Sequence, residues 1–519
     1  MEIKSEREYK KSTRVQDVFC ESGAEYILPD YNADVRKILF SSAKLRPSGR
    51  FASSDEVNFG GTVVYDVVYA DAENRLSSAT FTSDYDLDVK CSQDSYIDCY
   101  GETRLSNFSL RLVGPRKFSA KASVVLQPRL VERTLLPLDT DRITGSESPE
   151  VNSSTVAIHT AIVSGDTERE YAERVAALEG AIADEVRVIY TDAEAIADGI
   201  NVGEGSVTVS GNLRIISVIQ NGDEPAYLVE KIIPIEENVP FPEVRDDMKL
   251  TPEAVVTSLR TTLTPTDEGV DVVVSAIVNL YAIGELNERV EIITDAYMRS
   301  SEVDTTYARF GYTELAATVS AEENVSAELE RSTLECETVR DVSVLSTDVR
   351  IESVTGSKRG AVVAGEVKYT GFASCGFEDG SSGYLPVKLS TRFEREVDLG
   401  TPDADLRFEV KARSHTPSAS LDASKIYASS TLVLAVTALK DSEISALTGI
   451  NVGEERVSEV SSSRVVVYYP TGDETLFSVA KKFRTTTEKL ALDNSLTEAV
   501  STGDGKNMSL VGVKRLIIM

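Results

Sequence analysis

The chain has 519 residues, 41% of them apolar, with a formal net charge of −30 and no tryptophan. That length suits about three or four domains, and the acidity excludes nucleic acid as a general partner, because phosphate binding needs clustered Lys and Arg. No stretch approaches the roughly 20 consecutive apolar residues of a membrane helix, and the N-terminus, MEIKSEREYKKSTRVQDVF, lacks the apolar segment of a signal peptide, which implies a cytosolic protein.

Along the chain, three kinds of segment recur in the same order. The first kind is DVRKILFSSAKL from Asp34, EVRVIYTDAEAI from Glu185 and DVSVLSTDVRIE from Asp341. The second is FGGTVVYDVVYADAE around Gly61, VSGNLRIISVIQNGDE around Gly211 and VAGEVKYTGFASCGFEDG around Gly365. The third is KFSAKASVVL, VDVVVSAIVNL and KIYASSTLVL, ending at Leu126, Leu280 and Leu434, 154 residues apart each time. Period-2 alternation closed by Gly, Asp and Asn is the pattern of half-buried strands entering hairpins. Val, Ile, Thr and Tyr supply the β-branched and aromatic content. Helical crossovers are scarce, so antiparallel sheets are expected, one sandwich-like fold per copy.

The joints are less regular. TGSESPEVNSS (Thr144–Ser154) is polar and turn-rich, as a linker would be. In TEREYAERVAALEGAIADEV, Tyr171, Val175 and Leu178 stand at helical spacing, which predicts a short helix. SAEENVSAELERSTLECE, before the third copy, is charged and reads as loop or helix. GINVGEG from Gly199 and GINVGEE from Gly449 lie 250 residues apart, off the repeat period, and read as convergent turn chemistry.

After SSSR (Ser461–Arg464) the composition shifts. VVVYYP (Val465–Pro470) reads as a strand and TGDE as a turn. Thr475 is then a good N-cap, with Leu476, Val479, Ala480 and Phe483 on one apolar helix face. Lys481 and Lys482 fall in the last turn, where the helix dipole favours cations. Thr485 and Glu488 have capping-box spacing for a second helix, which buries Leu490 and Ala491 and stops at Asn494. After STGDGKNMS, RLIIM reads as a closing strand.

This terminal segment, YYPTGDETLFSVAKKFRTTTEKLALDN…RLIIM, resembles a LysM domain. Phe477, Val479, Ala480 and Phe483 stand at that motif's aromatic and apolar positions. Phe477 replaces the common Trp, the turn Gly sits one residue early at Gly472, and the loop before the last strand is longer than usual. With AEYILPDYNADVRKIL (Ala24–Leu39) and three β-rich repeats, the whole chain resembles the SPOCS-domain spore-coat morphogenetic proteins of endospore-forming clostridia.

The fold expected is mainly β: three repeated antiparallel domains over 1–143, 155–310 and 330–457, then a small βααβ LysM domain over 465–519. The resemblance implies a mother-cell protein at the forespore surface, with the spore-coat basement ATPase as partner. It also implies an alternative ligand, an N-acetylglucosamine glycan such as peptidoglycan or its lipid-linked precursor. Either would meet the module along Thr471, Gly472, Asp473, Glu474, Thr475 and Asn494, over a core of Leu476, Phe477, Val479, Ala480, Phe483 and Leu490.

An enzyme should display polar groups able to converge, and no G-x-S-x-G, HExxH, P-loop or Rossmann pattern occurs. His159 lies in or beside a linker, and His415 sits in an apparent turn. Catalytic residues, cofactors and metal ligands are therefore expected to be absent. The cysteines, Cys20, Cys91, Cys99, Cys336 and Cys375, are odd in number without CxxC pairs, so reduced thiols are expected, even where Cys91 and Cys99 share a hairpin. From Val465 onward the net charge is +1, against −31 before it, so a near-neutral tip on an acidic body can approach an acidic partner.

Overall fold

A computed structural model describes residues 8–53, 55–92, 94–137, 149–222, 224–400, 405–455, 465–496 and 508–519. The architecture is mainly β; among the described residues two α-helices are confined to the terminal segment and every strand pair is antiparallel.

The first unit contains β1 (Glu8–Arg14), β2 (Val18–Ile27), β3 (Lys37–Ala52), β4 (Glu56–Ala70), β5 (Leu76–Lys90), β6 (Tyr96–Gly114) and β7 (Lys117–Leu135). One sheet runs β3-β4-β5; in the other, β1, β2 and β6 all pair with β7. The second unit repeats this with β8 (Glu150–Val163), β9 (Thr167–Glu179), β10 (Val186–Gly203), β11 (Ser206–Asn221), β12 (Tyr227–Pro240), β13 (Lys249–Thr266) and β14 (Gly269–Tyr297). Its sheets are β10-β11-β12 and β8, β9 and β13 on β14. The third contains β15 (Ser301–Glu330), β16 (Thr338–Gly356), β17 (Gly360–Gly376), β18 (Ser382–Asp398), β19 (Leu406–Leu421) and β20 (Lys425–Glu455), in sheets β16-β17-β18 and β15-β20-β19. Here the continuous β15 takes the place of two strands in the other units, pairing with β20 from end to end.

Within each unit the edges of the two sheets approach, β3 to β6 and β5 to β2 in the first, and a core fills the space between. The alternating segments found in the sequence supply it: Val63, Tyr65, Val67 and Tyr69 on β4, Val207 to Ile219 on β11, Val363 to Ala373 on β17. Leu126, Leu280 and Leu434, at the ends of the third kind of segment, are all buried.

The repeated glycine has a physical cause. In each unit the first strand of the sheet that holds it (β3, β10 or β16) carries a β-bulge opposite it: at Pro47/Gly49 facing Gly61, at Ala197/Gly199 facing Gly211, and at Ile351/Ser353 facing Gly365. The bulge drives a carbonyl into the space a side chain would need. A Cβ on Gly61 would lie 2.6 Å from Arg46 O, on Gly211 1.9 Å from Ile196 O, and on Gly365 2.3 Å from Arg350 O. Bulges bend and twist the strand that carries them, so the glycine is the residue that permits the curl of each sheet.

The three units pack together. A second bulge in each first strand turns Leu39, Ile189 and Leu345 into a shared cluster with Val68, Val218 and Phe372. The far halves of β7, β14 and β20 pair with β1, β8 and the first half of β15, and these ribbons meet at Tyr9, Val156, Ile158, Val290, Ile292, Phe310 and Ala446. Charged pairs link units: Lys44 Nζ to Asp192 Oδ2 at 2.5 Å, and Glu253 to Lys411 at 3.1 Å and Arg413 at 2.9 Å.

Several sequence expectations are corrected. The predicted helix through Tyr171, Val175 and Leu178 is strand β9. A bulge at Val175, between the pairs Ala176–Val272 and Arg174–Val273, shifts the alternation by one residue and gives the strand a helix-like spacing. The charged stretch before the third copy is the end of β15 followed by a 3-10 turn over Arg331–Thr333. The linker reading fails for 150–154, which open β8; residues 144–148 and 461–464 lie outside the described residues. His159 is in β8 and buried, not in a linker, with Nε2 3.2 Å from Glu285 Oε1. His415 lies at a bulge within β19, Nδ1 3.0 Å from Glu194 Oε1. All five cysteines are free, and Cys336 Sγ lies 3.0 Å from Cys375 Sγ.

Candidate functional site: the terminal module and its seat

The terminal module starts from a two-stranded sheet, β21 (Val466–Tyr468) on β22 (Leu516–Ile518). Between them lie α1 (Leu476–Phe483) and α2 (Thr487–Asp493). Thr475 caps α1: its side chain accepts from Ser478 N, while Ser478 Oγ accepts from Thr475 N. This is a capping box closed by Ser rather than Glu. Arg484 ends α1 in the left-handed region, φ 54°, a position usually given to glycine. The cap of α2 is Thr486, one residue after the Thr485 expected from the sequence, and it accepts from Lys489 N. Thr485 instead gives its backbone N–H to Ala480 O at the end of α1. Any residue of the run Thr485–Thr486–Thr487 can cap a helix through its hydroxyl, and the capping-box pattern, met by Thr485 with Glu488 alone, pointed one residue early.

Leu476, Phe477, Val479, Ala480 and Leu490 are buried, together with Ala491, Leu510, Leu516 and Ile518. Phe483 is only half-buried, packed edge-on against Tyr468 at 5.1 Å. Its removal therefore costs less than the loss of a fully buried ring.

The structure places the expected contact residues in two groups. Thr471 to Thr475 form the turn into α1. Glu474 Oε2 accepts from Thr471 N at 2.8 Å and Oε1 accepts from Tyr468 O–H at 2.6 Å. The Tyr468 hydroxyl and the Thr471 N–H hold that carboxyl below its ordinary value. Thr471, Gly472 and Asp473 stay exposed, and Asp473 is likewise held low, by the Thr471 side chain. Asn494 belongs elsewhere: its amide donates to Ile517 O and Leu490 O and accepts from Ile517 N at 2.6 Å, tying α2 to β22. The segment facing the turn is 508–510, through Leu476 N to Met508 O and Leu510 N to Glu474 O.

What the sequence reading missed is the seat. Tyr297, the last residue of β14, packs its ring edge-on against Phe477 at 5.2 Å and donates its hydroxyl to Thr485 O at 2.6 Å. Burial pushes that hydroxyl's pKa up. Lys481 Nζ lies 2.7 Å from Asp295, and Arg484 Nη2 lies 3.7 Å from Glu302. Tyr297 thus completes the module's core from the body. These partners are distant in sequence and carry no motif, so local pattern could not have revealed them.

A second missed feature was legible. By alternation, Tyr468 and Val466 turn toward the helices, while Val465, Val467 and Tyr469 turn away. The latter three are 63%, 49% and 69% exposed, and Met519 beside β22 is 62% exposed. VVVYY is apolar on both faces of the strand, and a sheet covered by helices on one side leaves the other face bare.

No family model matches the chain, no curated protein matches it, and no solved structure matches it. Among the described residues no helix is long and apolar enough to cross a membrane.

Proposed function

We propose that this chain is a non-enzymatic adaptor in which the three-unit β body presents the LysM-like module to a protein partner. The observation that carries this reading is the bare apolar face of Val465, Val467, Tyr469 and Met519, grouped on one side of the module's sheet, whereas Leu492 and Val511, also exposed, lie outside that sheet. Exposed contiguous apolar surface marks interaction sites in soluble proteins, and aromatic anchors such as Tyr469 dominate interface energies. The seat at Tyr297, Lys481 and Arg484 engages the helices, on the other side of the module from this face.

The resemblance to SPOCS-domain proteins names the partner as the spore-coat basement ATPase and the place as the mother-cell side of the forespore. The near-neutral module, on a body of charge −31, reduces repulsion from an acidic partner. The competing ligand, an N-acetylglucosamine glycan, would use the turn 471–475 and Asn494. Glu474 and Asn494 already spend their hydrogen-bonding groups inside the module, which favours the protein partner.

The test is co-purification of the full chain with the ATPase. Val467→Asp with Tyr469→Asp should weaken capture at least about tenfold with an unchanged melting temperature, and a 1–460 truncation should not bind. Capture that survives both changes overturns the reading. Saturable calorimetric binding of chito-oligosaccharide at about micromolar strength, lost on altering Thr471 or Asp473, establishes the glycan reader instead.

A further inference from the structure

The strand break between β1 and β2, over residues 15–17, opens a cleft of ≈ 650 Å³ between the first and third units. Three guanidiniums line it: Arg14 from the end of β1, Arg129 from β7 and Arg407 from β19. Ser12, Thr313 and Phe19 also line it, as does one carboxylate, Asp17, which Arg14 pairs at 3.1 Å. The third unit has no such opening, because β15 is continuous. The matching break in the second unit is closed by Ser164 and Gly165, the latter bonded to Pro240 O at 2.9 Å.

The arginines are incompletely used. Arg129 donates to Glu409 Oε2, Arg407 to Glu409 Oε1 at 2.7 Å and to Asp441 at 3.3 Å, and Arg14 to Asp17 at 3.1 Å. Arg14 comes no closer to Glu409 than 3.9 Å. Each guanidinium is paired with a carboxylate, but among the described residues most of the N–H donors of the three have no hydrogen-bond acceptor. Arg129 is a structural clamp, its side chain 10% exposed, whereas those of Arg14 and Arg407 are 35% and 42% exposed. Beside them Phe19 is 66% exposed, a bare ring at the rim. Spare planar donors suit a carboxylate, and the ring suits an apolar group attached to it. Clefts between domains are a common place for such sites.

We propose that this cleft binds an organic carboxylate, with its oxyanion held by Arg14 and Arg407 and its apolar body against Phe19. The carboxylate comes either from a free small molecule or from the C-terminus of a peptide. Two probes separate those sources in calorimetric titrations of the full chain: 3-phenylpropionate, and a short peptide ending in Phe with a free carboxylate. Binding of either should fall about tenfold or more in Arg14→Gln or Arg407→Gln and also in Phe19→Ser, with the melting temperature unchanged. The neutral amide of each probe should not bind. The tighter of the two probes identifies the source. The proposal is overturned if neither probe saturates by about 10 mM, if the arginine variants bind as well as the parent, or if the amides bind equally.

Discussion

The body and the terminal module solve the burial problem in different ways. Each body unit closes two sheets over its own core and then shares further clusters with its neighbours, so its apolar contacts are redundant. The module has one small core, and Tyr297 of the body belongs to it. A domain this small buries a lower fraction of its surface and stands near the limit of independent stability. The difference teaches that the module is coupled to its seat: what loosens the Tyr297 contact loosens the module, while the body has no matching dependence.

The largest expected break is in the module. Phe477→Ala, at a ring only 3% exposed, should cost about 3–5 kcal/mol. That is enough to unfold the module while the body persists, seen as proteolysis confined to 465–519. Phe483→Ala, at a half-buried ring, should cost about 1–2 kcal/mol and leave the module folded. Equal losses would contradict the packing described.

Next comes the body's own weak point. Gly211→Val must displace a facing carbonyl and should cost about 3 kcal/mol, lowering the body's urea midpoint. At Gly472 in the module turn a Cβ meets nothing within 4 Å, so Gly472→Ala should stay within about 0.5 kcal/mol of neutral. A neutral Gly211→Val would remove the bulge explanation for the repeated glycine.

The seam between the second and third units should respond to acid. Burial pushes the Glu253 carboxyl upward, but Lys411 and Arg413 outweigh it and hold the pKa down at about 2, from 4.5. A carboxyl with a depressed folded-state value stabilises fully above its unfolded value and loses that contribution as pH falls from about 4.5 toward 2. The loss amounts to about 3 kcal/mol. Stability of the parent should therefore drop through that window more steeply than that of Glu253→Gln, measured by urea unfolding at each pH. Parallel profiles would show that the pair contributes nothing across the seam.

A smaller effect sharpens the coupling itself. Tyr297→Phe keeps the ring against Phe477 and removes the bond to Thr485 O, costing about 1 kcal/mol. Hydrogen exchange should accelerate in α1 and α2 and stay unchanged in β11 and β17. Uniform acceleration would mean the module and body open together.

Much of this was legible in the chain. The strands of the body follow from alternating Val, Ile and Tyr, and the repeated Gly61, Gly211 and Gly365 marked equivalent places before their bulges were visible. The first helix of the module followed from Thr475 and four apolar positions. The failures share a cause. At Val175 one extra residue in the ladder imitated a helical period, His159 looked like linker because its partner Glu285 is distant in sequence, and Asn494 looked available because its partner Ile517 lies across the long loop.

The sequence by itself determined the periodicity: three strand-rich copies, a glycine in each, and a capped amphipathic helix near the end. These are local matters of side-chain alternation and backbone capping, fixed within a few residues of each position. Only the tertiary structure decided which faces are covered. It put Tyr297 under the module, left Val467 and Tyr469 bare, and brought Arg14, Arg129 and Arg407 around one cleft. Those arrangements depend on how whole sheets pack across hundreds of residues, and no local spacing encodes that.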